Sequence, residues 1–315
     1  MIIGVDLGAT KILSGIVAKD GAIVKRVKQP TIKERSPKDI VNRIVMAIND
    51  LLKDKSLEAH KIEKIVVAAP GPLSYPDGVI YDTPNLKWGY FPLKEELEKR
   101  LQKEVQVEHD ATTAALGEYF FGQKKQYKHL LYMTVSSGIG GGIIIDGKPY
   151  RGINGGAGEF GHMVVEPKGR ICGCGRHGCL EACASGTAIA VKAKKLIENG
   201  EGLGIKTYKK EKANITAYEV GLAARNGDPE AINLINETAY YLGSGTSNII
   251  NIFNPEIFIL GGGVIFGLED LLLESISKYV HNNVYALHRK NLVIKASELG
   301  EDIGLLGCAA MALEQ

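Results

Sequence analysis

The arrangement that most narrows the fold occurs twice along the chain. Ile2 to Val5 reads as a buried strand, the glycine turn Asp6-Leu7-Gly8-Ala9-Thr10-Lys11 leads into a second, Ile12 to Val17, and Asp20-Gly21 signals a hairpin into a third, Ala22 to Val27. Leu130 to Val135, the turn Ser136-Ser137-Gly138, Ile139 to Ile145 and Asp146-Gly147 repeat that order. A meander must cover its apolar face with further elements, so two copies predict two lobes on a common plan. Between them the apolar period switches: Ile40, Val41, Ile44, Val45, Ile48, Leu51 and Leu52 mark a helix over Lys38 to Lys53, and Ile65 to Ala69 a buried strand ending at Pro70-Gly71-Pro72. Leu93, Leu97 and Leu101 mark another helix, and a further one is expected from Asp110 to Phe121. Such alternation predicts an α/β fold. Beyond it Ser185, Thr216 with Glu219, and Asp228-Pro229 read as helix starts, and Ile257 to Leu260 as a strand entering Gly261-Gly262-Gly263.

At 315 residues the chain is long enough for its core to divide in two. Hydrophobic residues at 45% and charged ones at 23% exclude disorder and a coiled coil. The net charge is +2 and the Lys and Arg are scattered, which leaves no footprint for nucleic acid or a membrane surface and makes a small molecule the expected partner. The longest apolar runs, such as Leu130-Leu131-Tyr132-Met133, are far short of a membrane span. Met1 passes into the first strand without a basic segment, an apolar signal core or a cleavage site, so the expected location is the cytoplasm.

Three turns that follow strands combine glycine with hydroxyl or basic residues: Asp6 to Lys11, Ser136 to Gly142, and Gly261 to Gly263. Backbone N–H groups near Gly8, Gly138, Gly140, Gly262 and Gly263 can approach a phosphate with no Cβ in the way, and Thr10, Lys11 and Ser137 add side-chain donors. Any one of these runs is better explained as a tight hairpin; three in one chain point to a nucleotide. Asp6, at a strand end, can hold Mg²⁺ through water. The dinucleotide fingerprint is absent, since Ile143 stands where its third glycine belongs, and so is the Gly-Lys-Ser/Thr ending of a P-loop.

Four of the five cysteines lie between Cys172 and Cys183. His162, Cys172, Cys174 and Cys179 offer one imidazole and three thiolates in a His-x9-Cys-x-Cys-x4-Cys arrangement, for which zinc is the natural occupant. Four protein ligands leave no open position, so the expected zinc is structural; the competing reading is unligated buried cysteines. Cys183 and Cys308 read as core residues. Glu159 and Glu181 read either as solvated charges or, with the second ring nitrogen of His162, as groups that bind sugar hydroxyls. Asp110 ends a strand and begins a helix, where it serves either as a cap or as a base for an attacking hydroxyl.

Asp6-x-Gly8-x-Thr10-Lys11, Pro70-Gly71-Pro72, Asp110-Ala111, Gly138-Ile139-Gly140-Gly141-Gly142, Glu159-Phe160-Gly161-His162 and Cys172-x-Cys174-Gly175-x2-Gly178-Cys179-Leu180-Glu181 together resemble the ROK (repressor, ORF, kinase) family from end to end. The resemblance implies two RNase H-like lobes of the actin, hexokinase and Hsp70 architecture around a nucleotide cleft. The expected division is a small lobe over 1–117, completed by a terminal helix at 301–315, and a large lobe over 118–300 holding a zinc knuckle at 162–179. It further implies ATP and Mg²⁺ as cofactors, Asp110 as the base, and a sugar site at Gly71, Asn85, His109, Asp110, Glu159, His162 and Glu181. A homodimer is the usual assembly. Repressors of the family carry a DNA-binding segment ahead of the first phosphate turn, which here begins at Asp6, so nucleic-acid binding is not expected.

Three features depart from the family pattern. His109 and Thr112 replace its usual Asn residues around the base, while Ala9 and Ser137 are milder changes in the phosphate turns. The expected reaction is phosphorylation of a hexose at its C6 hydroxyl, glucose first; the alternatives are an N-acetylmannosamine, N-acetylglucosamine or fructose kinase, and a non-catalytic sugar sensor.

Overall fold

A computed structural model describes all residues except 33–35, 54–61, 82, 84, 85, 87, 209–213 and 315. The chain opens with strands β1 (Ile2–Leu7), β2 (Lys11–Val17) and β3 (Ile23–Pro30), followed by helix α1 (Pro37–Leu52), β4 (Lys64–Ala69), the short pair β5 (Val79–Ile80) and β6 (Phe91–Pro92), α2 (Leu93–Leu101), β7 (Val105–His109) and α3 (Asp110–Gly117). It continues with β8 (Leu130–Val135), β9 (Ile139–Ile145), β10 (Lys148–Pro149), α4 (Leu180–Ala184), α5 (Gly186–Glu198), α6 (Leu203–Thr207), α7 (Ala217–Arg225) and α8 (Pro229–Phe253). The last elements are β11 (Ile257–Gly261), α9 (Gly263–Asn283), α10 (Ala286–Arg289), β12 (Val293–Ala296) and α11 (Ile303–Leu313).

The repeated sequence pattern becomes a repeated topology. One five-stranded sheet runs β3-β2-β1-β4-β7 and the other β10-β9-β8-β11-β12, so each places a meander beside two later strands. In the first, β1 is antiparallel to β2 and parallel to β4, and β4 is parallel to β7. Strand alternation sorts β1 by face. Ile3, Val5 and Leu7 join Ile40, Ile44 and Ile48 of α1 and Leu93 and Leu97 of α2 in a dry core. Gly4 and Asp6 turn the other way, toward α11. Parallel β1, β4 and β7 end at one edge of this sheet, and that edge carries Asp6, Gly71, His109 and Asp110, the position where open α/β sheets bind ligands.

By compactness the chain divides into Met1–Tyr132 with Gly142–Gly158 and Glu298–Gln315, and Met133–Gly141 with Glu159–Ser297. Residues 118–132 and 142–158 thus fall with the first unit, where the sequence expectation had put them in the large lobe. Packing explains the difference: Gly142 of β9 lies against Ala111 and Ala115 of α3, while α3 packs on α11. The helix expected to run to Phe121 is α-helical only to Gly117 and continues as a π turn over Glu118–Gly122, closed by a Gln123 N–H bond to the Glu118 carbonyl at 2.6 Å. In the second unit the helix starts are those expected. Ser185 and Asp228 accept N–H bonds from Ala188 and Ala231, and Thr216 forms a capping box with Glu219.

The α11–α3 contact allows no side chain at 307, where a Cβ would lie 2.2 Å from the Thr113 carbonyl oxygen. Gly307→Ala is therefore expected to cost about 1–3 kcal/mol through overpacking, read as a fall in thermal midpoint by circular dichroism.

Candidate active site

The site grows from the junction where β7 passes into α3 without an intervening loop. His109 has extended backbone and closes the strand, and Asp110 is the first helical residue rather than the cap. Its Oδ1 accepts the N–H of Ala111 at 2.7 Å and lies 3.6 Å from His109 Nδ1, while the side chain keeps 38% of its exposure. Position and exposure leave a carboxylate oxygen available to a hydroxyl. The imidazole of His109 is buried, with no hydrogen-bond partner for Nδ1 among the described residues, and its far edge presses on Gly71, where a Cβ would meet ring atoms at 2.7 Å. Gly71 is thus required by the histidine beside it.

Asp6 pairs across the sheet with Leu13 and Ala68, its carboxyl against Gly304 of α11. Burial, reinforced by the charge of Asp110 and opposed by Lys11, pushes its pKa up to about 6. The adjoining turn is closed by the Gly8 N–H bond to the Lys11 carbonyl, and Thr31 donates its hydroxyl to the Gly8 carbonyl at 2.6 Å. Thr10 is exposed at its tip, while Lys11 reaches Glu301 at 3.1 Å.

In the second unit the turn Ser136-Ser137-Gly138 sits on the start of α5. Gly186 donates its N–H to the Ser136 carbonyl at 2.8 Å, and the Thr187 hydroxyl donates to the Ser137 carbonyl at 2.6 Å. Gly140 lies within β9, while Gly262, at φ +89, and Gly263 form the β11–α9 turn. Asn85 lies outside the described residues.

The cysteine knuckle is assembled almost entirely from local sequence. Isolated bridges Val164–Cys179 and Ile171–His177 fold it back on itself, and Gly178, at φ +68, stands where a Cβ would lie 1.5 Å from the Glu166 carbonyl. Donor atoms of His162, Cys172, Cys174 and Cys179 all lie within 4.8 Å of one another. The Cys174–Cys179 sulfur separation is 3.7 Å, close to the roughly 3.8 Å edge of a tetrahedron with bonds of about 2.3 Å, so the donor set fits zinc. His162 presents Nδ1 to Cys172 at 3.6 Å and Nε2 to Glu159 at 3.9 Å. Glu181 is no solvated charge: its Oε2 accepts the Ile139 N–H at 2.9 Å and its Oε1 lies 3.9 Å from Cys172 Sγ.

Sequence reasoning passed over Glu108, Arg151 and Gly304. Glu108 had a signal, a charge inside a short strand next to Val107; Arg151 and Gly304 had none, because their partners lie far along the chain.

Two sheets of matching strand order, with carboxylates at the parallel edge of the first, define an α/β protein of the actin, hexokinase and Hsp70 class. Within that class the chain belongs to the ROK family, whose sequence model matches residues 2–315. It is 36% identical over 326 residues to a glucokinase of Streptomyces coelicolor, with 100% of this chain and 98% of that protein covered. The crystal structure of a ROK family glucokinase from Streptomyces griseus in complex with glucose and AMPPNP superposes with a TM-score of 0.85 at 35% identity, covering 98% of each chain. A xylose repressor of Caldicellulosiruptor bescii is 33% identical over 320 residues, the match taking in 99% of this chain and 78% of the repressor. No helix among the described residues is long and apolar enough to cross a membrane.

The raised Asp6 carboxyl has a consequence for stability. Between its ordinary 3.8 and about 6 the folded chain binds the proton and the unfolded chain does not, so this group's contribution falls as pH rises through that window and stays low above it. Asp6→Asn is expected to raise the melting temperature of the ligand-free protein at pH 7.5 and to change it less at pH 5, measured by scanning calorimetry.

Proposed function

We propose that the chain is an ATP-dependent hexose kinase that transfers the γ-phosphate of MgATP to the C6 hydroxyl of glucose, with Asp110 as general base. The observation that carries this reading is the Asp110 carboxylate, fixed at the first residue of α3 by one N–H bond yet still open to solvent. Asp110 takes the hydroxyl proton as the sugar oxygen attacks the γ-phosphorus in line; the β–γ bridging oxygen leaves with ADP, and the proton stays on the carboxyl. Positioning and neutralisation of charge supply most of the acceleration. Backbone amides of the turns at Gly8, Ser137-Gly138, Gly140 and Gly262-Gly263 cradle the phosphates with Thr10 and Lys11, and Asp6 holds Mg²⁺ through water.

Glu159, His162 and Glu181 bind sugar hydroxyls, with Gly71 and His109 bordering the same ring. Zinc held by His162, Cys172, Cys174 and Cys179 has a structural part: it stiffens the loop so that the second nitrogen of His162 and the two glutamates keep their aim. The buried His109, bulkier than the asparagine usual in the family, favours a second substrate reading, an N-acyl hexosamine.

ADP release measured with MgATP and a panel of hexoses and N-acyl hexosamines tests both readings, and release with none of them would reject the kinase in favour of a sugar sensor. On the best substrate, Asp110→Asn is expected to lower kcat about a thousandfold while leaving the calorimetric affinity for the sugar within a few-fold. Cys174→Ser is expected to abolish zinc in elemental analysis and to lower the melting temperature; full zinc content at an unchanged midpoint would remove the metal from the account.

A further inference from the structure

The strand that delivers the base carries, two positions earlier, a charge the reaction does not use. Glu108 is buried, with 1% of its side chain exposed, in a strand whose fully buried neighbours Val105 and Val107 are apolar. Its Oε2 accepts Arg151 Nε at 2.6 Å, and its Oε1 accepts the backbone N–H of His109 at 2.9 Å. The other two nitrogens of Arg151 fork onto Glu314 beyond the end of α11, at 3.0 and 2.5 Å, and the guanidinium lies over the Tyr75 ring at 4.2 Å. Both carboxylates therefore meet one cation, and every nitrogen of that cation is occupied.

A buried ionic cluster of this kind is a poor way to gain stability, because apolar side chains of similar volume do as well. What it supplies is position. His109 is the residue at which extended backbone becomes helix, and the Glu108 carboxylate grips the N–H of that residue. Burial pushes the Glu108 carboxyl above its ordinary value, and Arg151 opposes the shift by charge and by hydrogen bond. Without that cation the second oxygen of Glu108 loses its partner, and the uncompensated buried carboxylate must turn toward water or another donor, which loosens its aim at the His109 N–H.

We infer that Arg151 is a positioning residue for the reaction: by holding the Glu108 carboxyl aimed at the His109 N–H, it sets the strand-to-helix turn on which Asp110 stands. The inference rests on the reading of Asp110 as base. It also makes Glu314 part of the device, since its fork keeps Arg151 in register.

The test is steady-state kinetics of the full-length protein, at a temperature where circular dichroism shows each variant folded. Arg151→Met is expected to lower kcat about ten- to a hundredfold, the scale of a misplaced catalytic group, with KM for sugar and MgATP within about twofold. Glu108→Gln combined with Arg151→Met should recover most of the loss, because a neutral amide oxygen can accept the His109 N–H without a counter-ion. Glu314→Gln and Arg151→Lys should lie between parent and Arg151→Met, and they carry the comparison if Arg151→Met does not fold. A kcat within twofold of the parent in the folded variants, or a loss confined to KM, overturns the inference. Asp110→Asn run alongside separates the two failures: if it retains activity the base assignment is wrong, whereas an inactive Asp110→Asn beside an unaffected Arg151→Met removes only the positioning role.

Discussion

The first unit depends on how closely its last helix lies on its first strand. Gly4 of β1 faces the Cβ of Cys308, Gly304 faces the carboxyl of Asp6, and Gly307 faces the Thr113 carbonyl, so α11 meets β1 and α3 at backbone distance. A side chain at any of these glycines would hold the helix away and admit water to the polar face of the sheet. Closed as it is, the face dehydrates Asp6 and raises its proton affinity. The same packing brings Glu314 within reach of Arg151, which joins α11 to Glu108 of β7.

The second unit solves a different problem, how to hold polar groups still on a loop. Between His162 and Glu181 there is no long helix or strand to impose order, and the bridges are isolated ones. Here the donor atoms of one histidine and three cysteines converge to within 4.8 Å of one another, a set that a tetrahedral ion would fix at once. Glu181 extends that constraint to the start of β9 through the Ile139 N–H, and Glu159 sits beside the outward nitrogen of His162. Donors and neighbours lie close in sequence, so the loop can be organised without help from distant segments.

The difference in locality explains which parts of the molecule were legible in advance. The twin meanders, the cap residues at Ser185, Thr216 and Asp228, and the cysteine knuckle were read correctly because period, capping and ligand spacing are properties of adjacent residues. The widening of α3 into a π turn was not. Whether a helix widens into a π turn at Glu118, or β9 packs with α3, depends on partners that no local window contains.

Sequence alone determined the α/β class, the repeated meander, the donor set at His162, Cys172, Cys174 and Cys179, and the strand-to-helix setting of Asp110. Only the tertiary structure decided that Asp110 is a first helical residue and not a cap, that Glu181 is tied to the backbone, that Lys11 reaches Glu301, and that Glu108 shares a cation with Glu314. The physical reason is that periodicity and spacing record what a residue's neighbours in the chain require of it, whereas charge pairing and close packing record which distant surfaces the collapsed chain brings together.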